Sequence, residues 1–83
     1  MAMEQEAIDF IRVELSTGLL MSQMALSSAT PAKRERNRAN ARKAYDALVR
    51  FLPRLHVPPT MMVEFNEKLV ELKSRLQRLG EEL

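Results

Sequence analysis

All four prolines fall in two short breaks, Pro31 in the first and Pro53, Pro58 and Pro59 in the second. Proline has no amide to donate, and it disfavours α geometry in the residue before it. The chain is thereby divided into three proline-free stretches. Each is expected to hold a helix of about 22–26 residues, roughly 33–39 Å long.

The third stretch has the most regular pattern. Met62, Phe65, Leu69, Leu72, Leu76, Leu79 and Leu83 recur at alternating spacings of three and four, so they share one helical face. Acid-before-base pairs four apart, Glu64–Lys68 and Glu71–Arg75, support the helix from its outer side. Thr60 can cap this helix or Pro59 can begin it. Gly80 is expected to loosen its last turn.

The middle stretch begins at Thr30-Pro31, a capping hydroxyl followed by proline at the first helical position. It runs to Phe51 or Leu52, where Pro53 ends or kinks it. Asn37, Ala41, Ala44, Leu48, Leu52 and Leu55 trace its buried side, with Tyr45 and Phe51 at the edges. The small residues predict closest helix approach near Ala41 and Ala44.

The first stretch carries two apolar lines. Ile8, Ile11, Leu15, Leu19, Ser22 and Leu26 form one face, with Gly18 and Ala25 beside it as points of close approach. Met3, Phe10, Met21 and Met24, with Val13 and Leu20 alongside, form a second. A helix that only covers a three-helix core needs one such stripe. The second is a candidate surface for a partner or for another copy of the chain.

These readings predict an all-α, three-helix up-down-up bundle forming one domain over residues 1–83. The helices are expected over about 4–28, 31–52 and 60–80. The alternative is a helical hairpin that completes its core by dimerisation. A chain this short buries a thin core, which makes self-association a natural reinforcement.

The formal net charge of +2 conceals a segregation. Residues 1–29 carry Glu4, Glu6, Asp9 and Glu14 against Arg12, a net −3. Residues 30–59 carry eight bases against Glu35 and Asp46, a net +6, and residues 60–83 a net −1. Lys33, Arg36, Arg38, Arg42, Lys43 and Arg50 are therefore a candidate surface for an anion, an acidic partner or nucleic acid. Two features weigh against nucleic acid: no aromatic is interleaved for base stacking, and Asp46 stands four residues from both Arg42 and Arg50. Charge of this sign also opposes the macrodipole in the first half of a helix, so it calls for compensation.

Nothing in the sequence carries catalytic chemistry. The lone histidine, His56, sits in a proline-rich turn, and the two glycines, Gly18 and Gly80, form no phosphate loop. No cysteine is present, so disulfides, thiolate zinc sites and thiol nucleophiles are excluded. No cofactor and no metal are expected, nor an enzyme. The acidic N-terminal residues do not resemble a secretory leader, and no apolar run reaches about 18 residues. The expectation is a cytoplasmic module with no membrane partner, working by contact with a protein partner or as a homodimer. Nucleic-acid or anion binding through the middle helix is the alternative.

Overall fold

The computed structural model describes residues 2–83, with side chains from Gln5 onward. It contains three α-helices: α1 over Ala2–Ser27, α2 over Pro31–Phe51 and α3 over Pro59–Arg78. A single 3-10 turn, Leu52–Arg54, follows α2. Both proline breaks lie where the sequence places them. Pro31 and Pro59 each open a helix at its first position, where the missing amide forfeits no bond. Pro53 tightens the chain into the 3-10 turn, closed by Leu55 N–H donating to Leu52 O at 3.2 Å. Thr30 occupies the N-cap position in extended geometry, but its hydroxyl caps nothing. The first turn of α2 is exposed, which leaves its free amides open to solvent.

Contacts between helices fix the up-down-up order. Along α1, Phe10 meets Phe51 near one end of α2, and Gly18 lies beside Ala44 further along. These pairs run in opposite directions, so α1 and α2 are antiparallel. Arg12 bonds Glu64, Gly18 faces Leu72 and the Leu19 carbonyl accepts from Arg75, so α1 and α3 run parallel. The described chain is a rod of 44 × 19 × 17 Å. Because α3 packs on the hairpin within the same chain, the three-helix bundle is the arrangement found, and not the hairpin alternative.

The core joins Ile8, Ile11, Leu15 and Ala25 of α1 to Ala41, Ala44 and Leu48 of α2. Leu52 of the 3-10 turn and Phe65, Leu72, Leu76 and Leu79 of the third segment complete it. Each large side chain removed from water stabilises the fold by about 1.5–3 kcal/mol. Leu19 and Leu26 are half-buried at the margin. Gly18 lies against Ala44, one of the small residues of α2, and Leu72 enters the notch left there by Gly18. Ser22 is fully buried, and its hydroxyl donates to Leu19 O at 3.0 Å.

Gly80 does not loosen α3; it ends it. With φ at 96°, it adopts the left-handed conformation that glycine takes at little cost. Glu81 N–H then donates to Leu76 O and Gly80 N–H to Gln77 O, each at 3.0 Å. This is the Schellman arrangement, which satisfies two carbonyls of the last turn.

Candidate functional site

The second apolar line of α1 lies on the side of the helix away from the core. Phe10 is 40% exposed, Val13 61%, Leu20 57% and Met24 44%, in a fold whose core closes without them. Thr17 fills the gap between Phe10 and Met24 at seven-residue spacing, so 10, 13, 17, 20 and 24 form one continuous seam. Thr17 is polar and so escapes a search for apolar residues, although the repeat marks its position. Met21 departs from the expected set: it is half-buried and packs against the core margin. Helical rotation turns position 21 further toward the core face than Val13, Leu20 and Met24. Met3 lies outside the residues whose side chains are described.

The seam extends onto α2. The rings of Phe10 and Phe51 meet edge to face, with centroids 5.9 Å apart and planes at 83°. Ala7, Phe10, Phe51 and Leu55 line a shallow apolar depression of about 270 Å³ there. At the other end, Met24 shares a second depression with Ser27, Thr30, Lys33 and Asn37. Phe51 therefore belongs to this face. It was legible only as an edge residue, because its partner is far away in sequence.

The six cations named from the sequence divide into two groups. Arg38 and Arg42 point toward α3. Arg38 Nε donates to Glu35 at 3.0 Å, and its terminal nitrogens reach Glu35 and Glu81. Arg42 Nε donates to Asp46 at 2.9 Å, and Nη1 to the other Glu81 oxygen at 3.2 Å. Hydrogen bonding to Glu35 foremost holds the Arg38 guanidinium above its ordinary pKa, and bonding to Asp46 does the same for Arg42. Two cations here face three carboxylates. The cluster carries net negative charge, which disfavours an anion. It joins the segment just after α3 to α2.

Lys33, Arg36, Lys43 and Arg50 form the other group. None of them contacts a carboxylate among the described residues. Arg36, Lys43 and Arg50 are spaced by seven, so they form a row about 21 Å long on the exposed side of α2. Arg50 also rests 5.9 Å from the Phe51 ring centre. Lys33 and Phe51 mark the α1 side of this helix through the two depressions. The free cationic row thus borders the apolar seam. Two surfaces named separately from the sequence are adjacent parts of one face.

On the opposite flank of the seam, toward α3, stand Asp9, Ser16 and Gln23, all exposed and again seven apart. Arg12, next to that flank, is tied to Glu64 at 3.2 Å and lies 5.4 Å over the Phe65 ring. The seam is therefore bounded by cations on one side and by polar and acidic groups on the other.

His56 is exposed beside Ile8, Val57 and Pro58. Among the described residues no three His, Cys, Asp or Glu side chains come together as metal ligands. No helix among them is long and apolar enough to cross a membrane. No protein-family model, curated protein or solved structure matches this chain.

Proposed function

We propose that this chain is a non-enzymatic, cytoplasmic protein–protein interaction module that self-associates through the outer face of α1. The observation that carries this reading is the continuous seam of Phe10, Val13, Leu20 and Met24, all exposed, with half-buried Thr17 at its centre, on a bundle whose core is complete without it. Isolated exposed apolar residues are ordinary. A continuous line of them at seven-residue spacing is the pattern of a helix-pairing surface. Val63 and Val70 of α3 are as exposed, but they stand among the exposed Asn66, Glu67, Ser74 and Glu71 and do not build a comparable strip.

The cytoplasmic placement rests on the composition, which has no cysteine and suits a reducing compartment. Sedimentation velocity across the micromolar range tests the self-association. A dimer that Leu20→Glu converts to a folded monomer is the expected result. A monomer at every concentration removes this reading.

A second reading, anion or nucleic-acid binding, is supported by the cations that lack a carboxylate partner. It rests on Lys33, Arg36, Lys43 and Arg50, since Arg38 and Arg42 are engaged with carboxylates. Such binding weakens steeply with added salt.

A further inference from the structure

We infer that the two copies pair their α1 helices in parallel, about a two-fold axis running along the helices. In this pairing the cationic row of α2 in each copy lies beside the Asp9–Ser16–Gln23 line of the partner copy. The inference rests on the self-association proposed above and specifies its geometry.

Two kinds of two-fold axis bring the same seam into contact with itself. An axis perpendicular to the helices makes the α1 pair antiparallel. It also carries both α2 helices to the same side of the pair. The Arg36, Lys43 and Arg50 row of one copy then meets the same row of the other, six cations along one edge. An axis along the helices makes the α1 pair parallel and puts the two α2 helices on opposite sides. Each cationic row then meets the flank of the partner's α1 that faces away from that partner's own α2. That flank is the line of Asp9, Ser16 and Gln23, all exposed.

The heights agree along the whole row. Contacts within one copy set the level of α2 against α1: Phe51 is level with Phe10, Ala44 with Gly18, and Lys33 and Asn37 with Met24. In a parallel pair, equivalent α1 residues of the two copies are also level. Arg50 therefore stands near Asp9 of the partner copy, Lys43 near Ser16 and Arg36 near Gln23. Each pair matches a cation with a carboxylate or an oxygen acceptor. The parallel arrangement also brings Asp9 of the partner copy toward Glu14, one carboxylate contact set against the row of cations on the same edge. The parallel form also sets Glu6, seven residues before Val13, across from its own copy. Charge still favours the parallel form, since the antiparallel form lays two rows of three cations along one edge with only the two Glu14 carboxylates to offset them.

The native chain has no cysteine, so disulfide capture reports the geometry cleanly. In a parallel seam Val13 lies across from its own copy, whereas in an antiparallel seam it faces the Leu20–Met24 end. Val13→Cys is expected to form an intermolecular disulfide under mild oxidation while retaining its helicity. A dimer in which Val13→Cys stays reduced, while a mixture of Val13→Cys and Met24→Cys chains cross-links, overturns the parallel pairing and leaves self-association standing. The charge test is independent. Asp9→Arg or Arg50→Glu alone is expected to weaken the dimer about tenfold, each pair occurring twice, and the double variant to recover to within about threefold. Additive weakening in the double variant overturns the parallel pairing. A monomer at all concentrations, including one that sediments with anionic phospholipid vesicles, overturns the pairing and self-association together.

Discussion

A Cβ atom on Gly18 would lie 2.6 Å from Cδ2 of Leu72 and 3.3 Å from the Cβ of Ala44. Leu72 is fully buried, so its methyl groups have little room to withdraw. Gly18 is thus the socket that admits α3 against the α1–α2 pair. Alanine is favoured over glycine in a helix interior by about 1 kcal/mol. Overpacking a filled site costs about 1–3 kcal/mol. Gly18→Ala is therefore expected to lower stability by about 1 kcal/mol, against the propensity trend. A thermal melt at fixed protein concentration reads this, and a more stable variant would refute the socket. Leu72→Ala alone is expected to cost about 3 kcal/mol, and less in the Gly18→Ala background, where the added methyl fills part of the hole.

Gly80 and Glu81 act as one device. The left-handed turn at Gly80 ends α3 and delivers the Glu81 carboxylate to both Arg38 and Arg42. Glu81→Gln is expected to lower the melting temperature by a few degrees, with the difference shrinking in high salt. Gly80→Ala is expected to cost about 1 kcal/mol through its positive φ, and to displace Glu81 as well. Adding Glu81→Gln to Gly80→Ala should then change little. Fully additive melting shifts would show that Gly80 does not position Glu81.

The architecture was legible because its signals are local. Proline positions mark the two breaks, and the regular spacing from Met62 to Leu79 marks one buried face without reference to any neighbour. The division of the cations was legible only in part: Asp46 stands four residues from both Arg42 and Arg50, and it is Arg42 that it bonds. Arg36 and Arg38 are two residues apart on the same helix, yet Arg38 is bonded and Arg36 is not. Arg38 and Arg42 each have a local acid, Glu35 and Asp46, and what joins the two pairs into one cluster is the arrival of Glu81, 43 residues along the chain from Arg38 and 39 from Arg42. That arrival depends on the parallel packing of α1 and α3 and on a turn made by one glycine. The continuity of the α1 seam with Phe51 has the same character, since it needs the antiparallel register of α1 and α2. Spacing along one helix tells which residues share a face; what stands beside that face depends on the packing.

Leu15 and Leu20 are expected to separate core from interface. Leu15 is 2% exposed and Leu20 57%, on the same helix. Leu15→Ala removes buried methyl groups and is expected to destabilise the fold by about 2–5 kcal/mol. Leu20→Glu alters an exposed position and is expected to change monomer stability by less than about 0.5 kcal/mol while abolishing self-association. Paired denaturation and sedimentation measurements distinguish the two effects. A large stability loss in Leu20→Glu at concentrations where the chain is already monomeric would place Leu20 in the core, contrary to the structure.

The cationic row and the Glu81 cluster make opposite predictions for an anionic ligand. Arg42 is bonded to Asp46 and Glu81, in a cluster where three carboxylates outnumber two guanidinium groups. Arg36 and Lys43 are exposed, with no carboxylate in contact among the described residues. If the chain binds DNA or RNA at low salt, the double variant Arg36→Ala, Lys43→Ala should weaken binding. It should also reduce the slope of log affinity against log salt by about 1–2, since each phosphate left without its cation lowers the slope by about 1. Arg42→Ala should leave both the affinity and the slope nearly unchanged. Fluorescence anisotropy with a labelled oligonucleotide over a salt series measures these quantities. An Arg42→Ala effect as large as that of the double variant would move the binding surface to the α3 side of α2, and the assignment of the free row would fail.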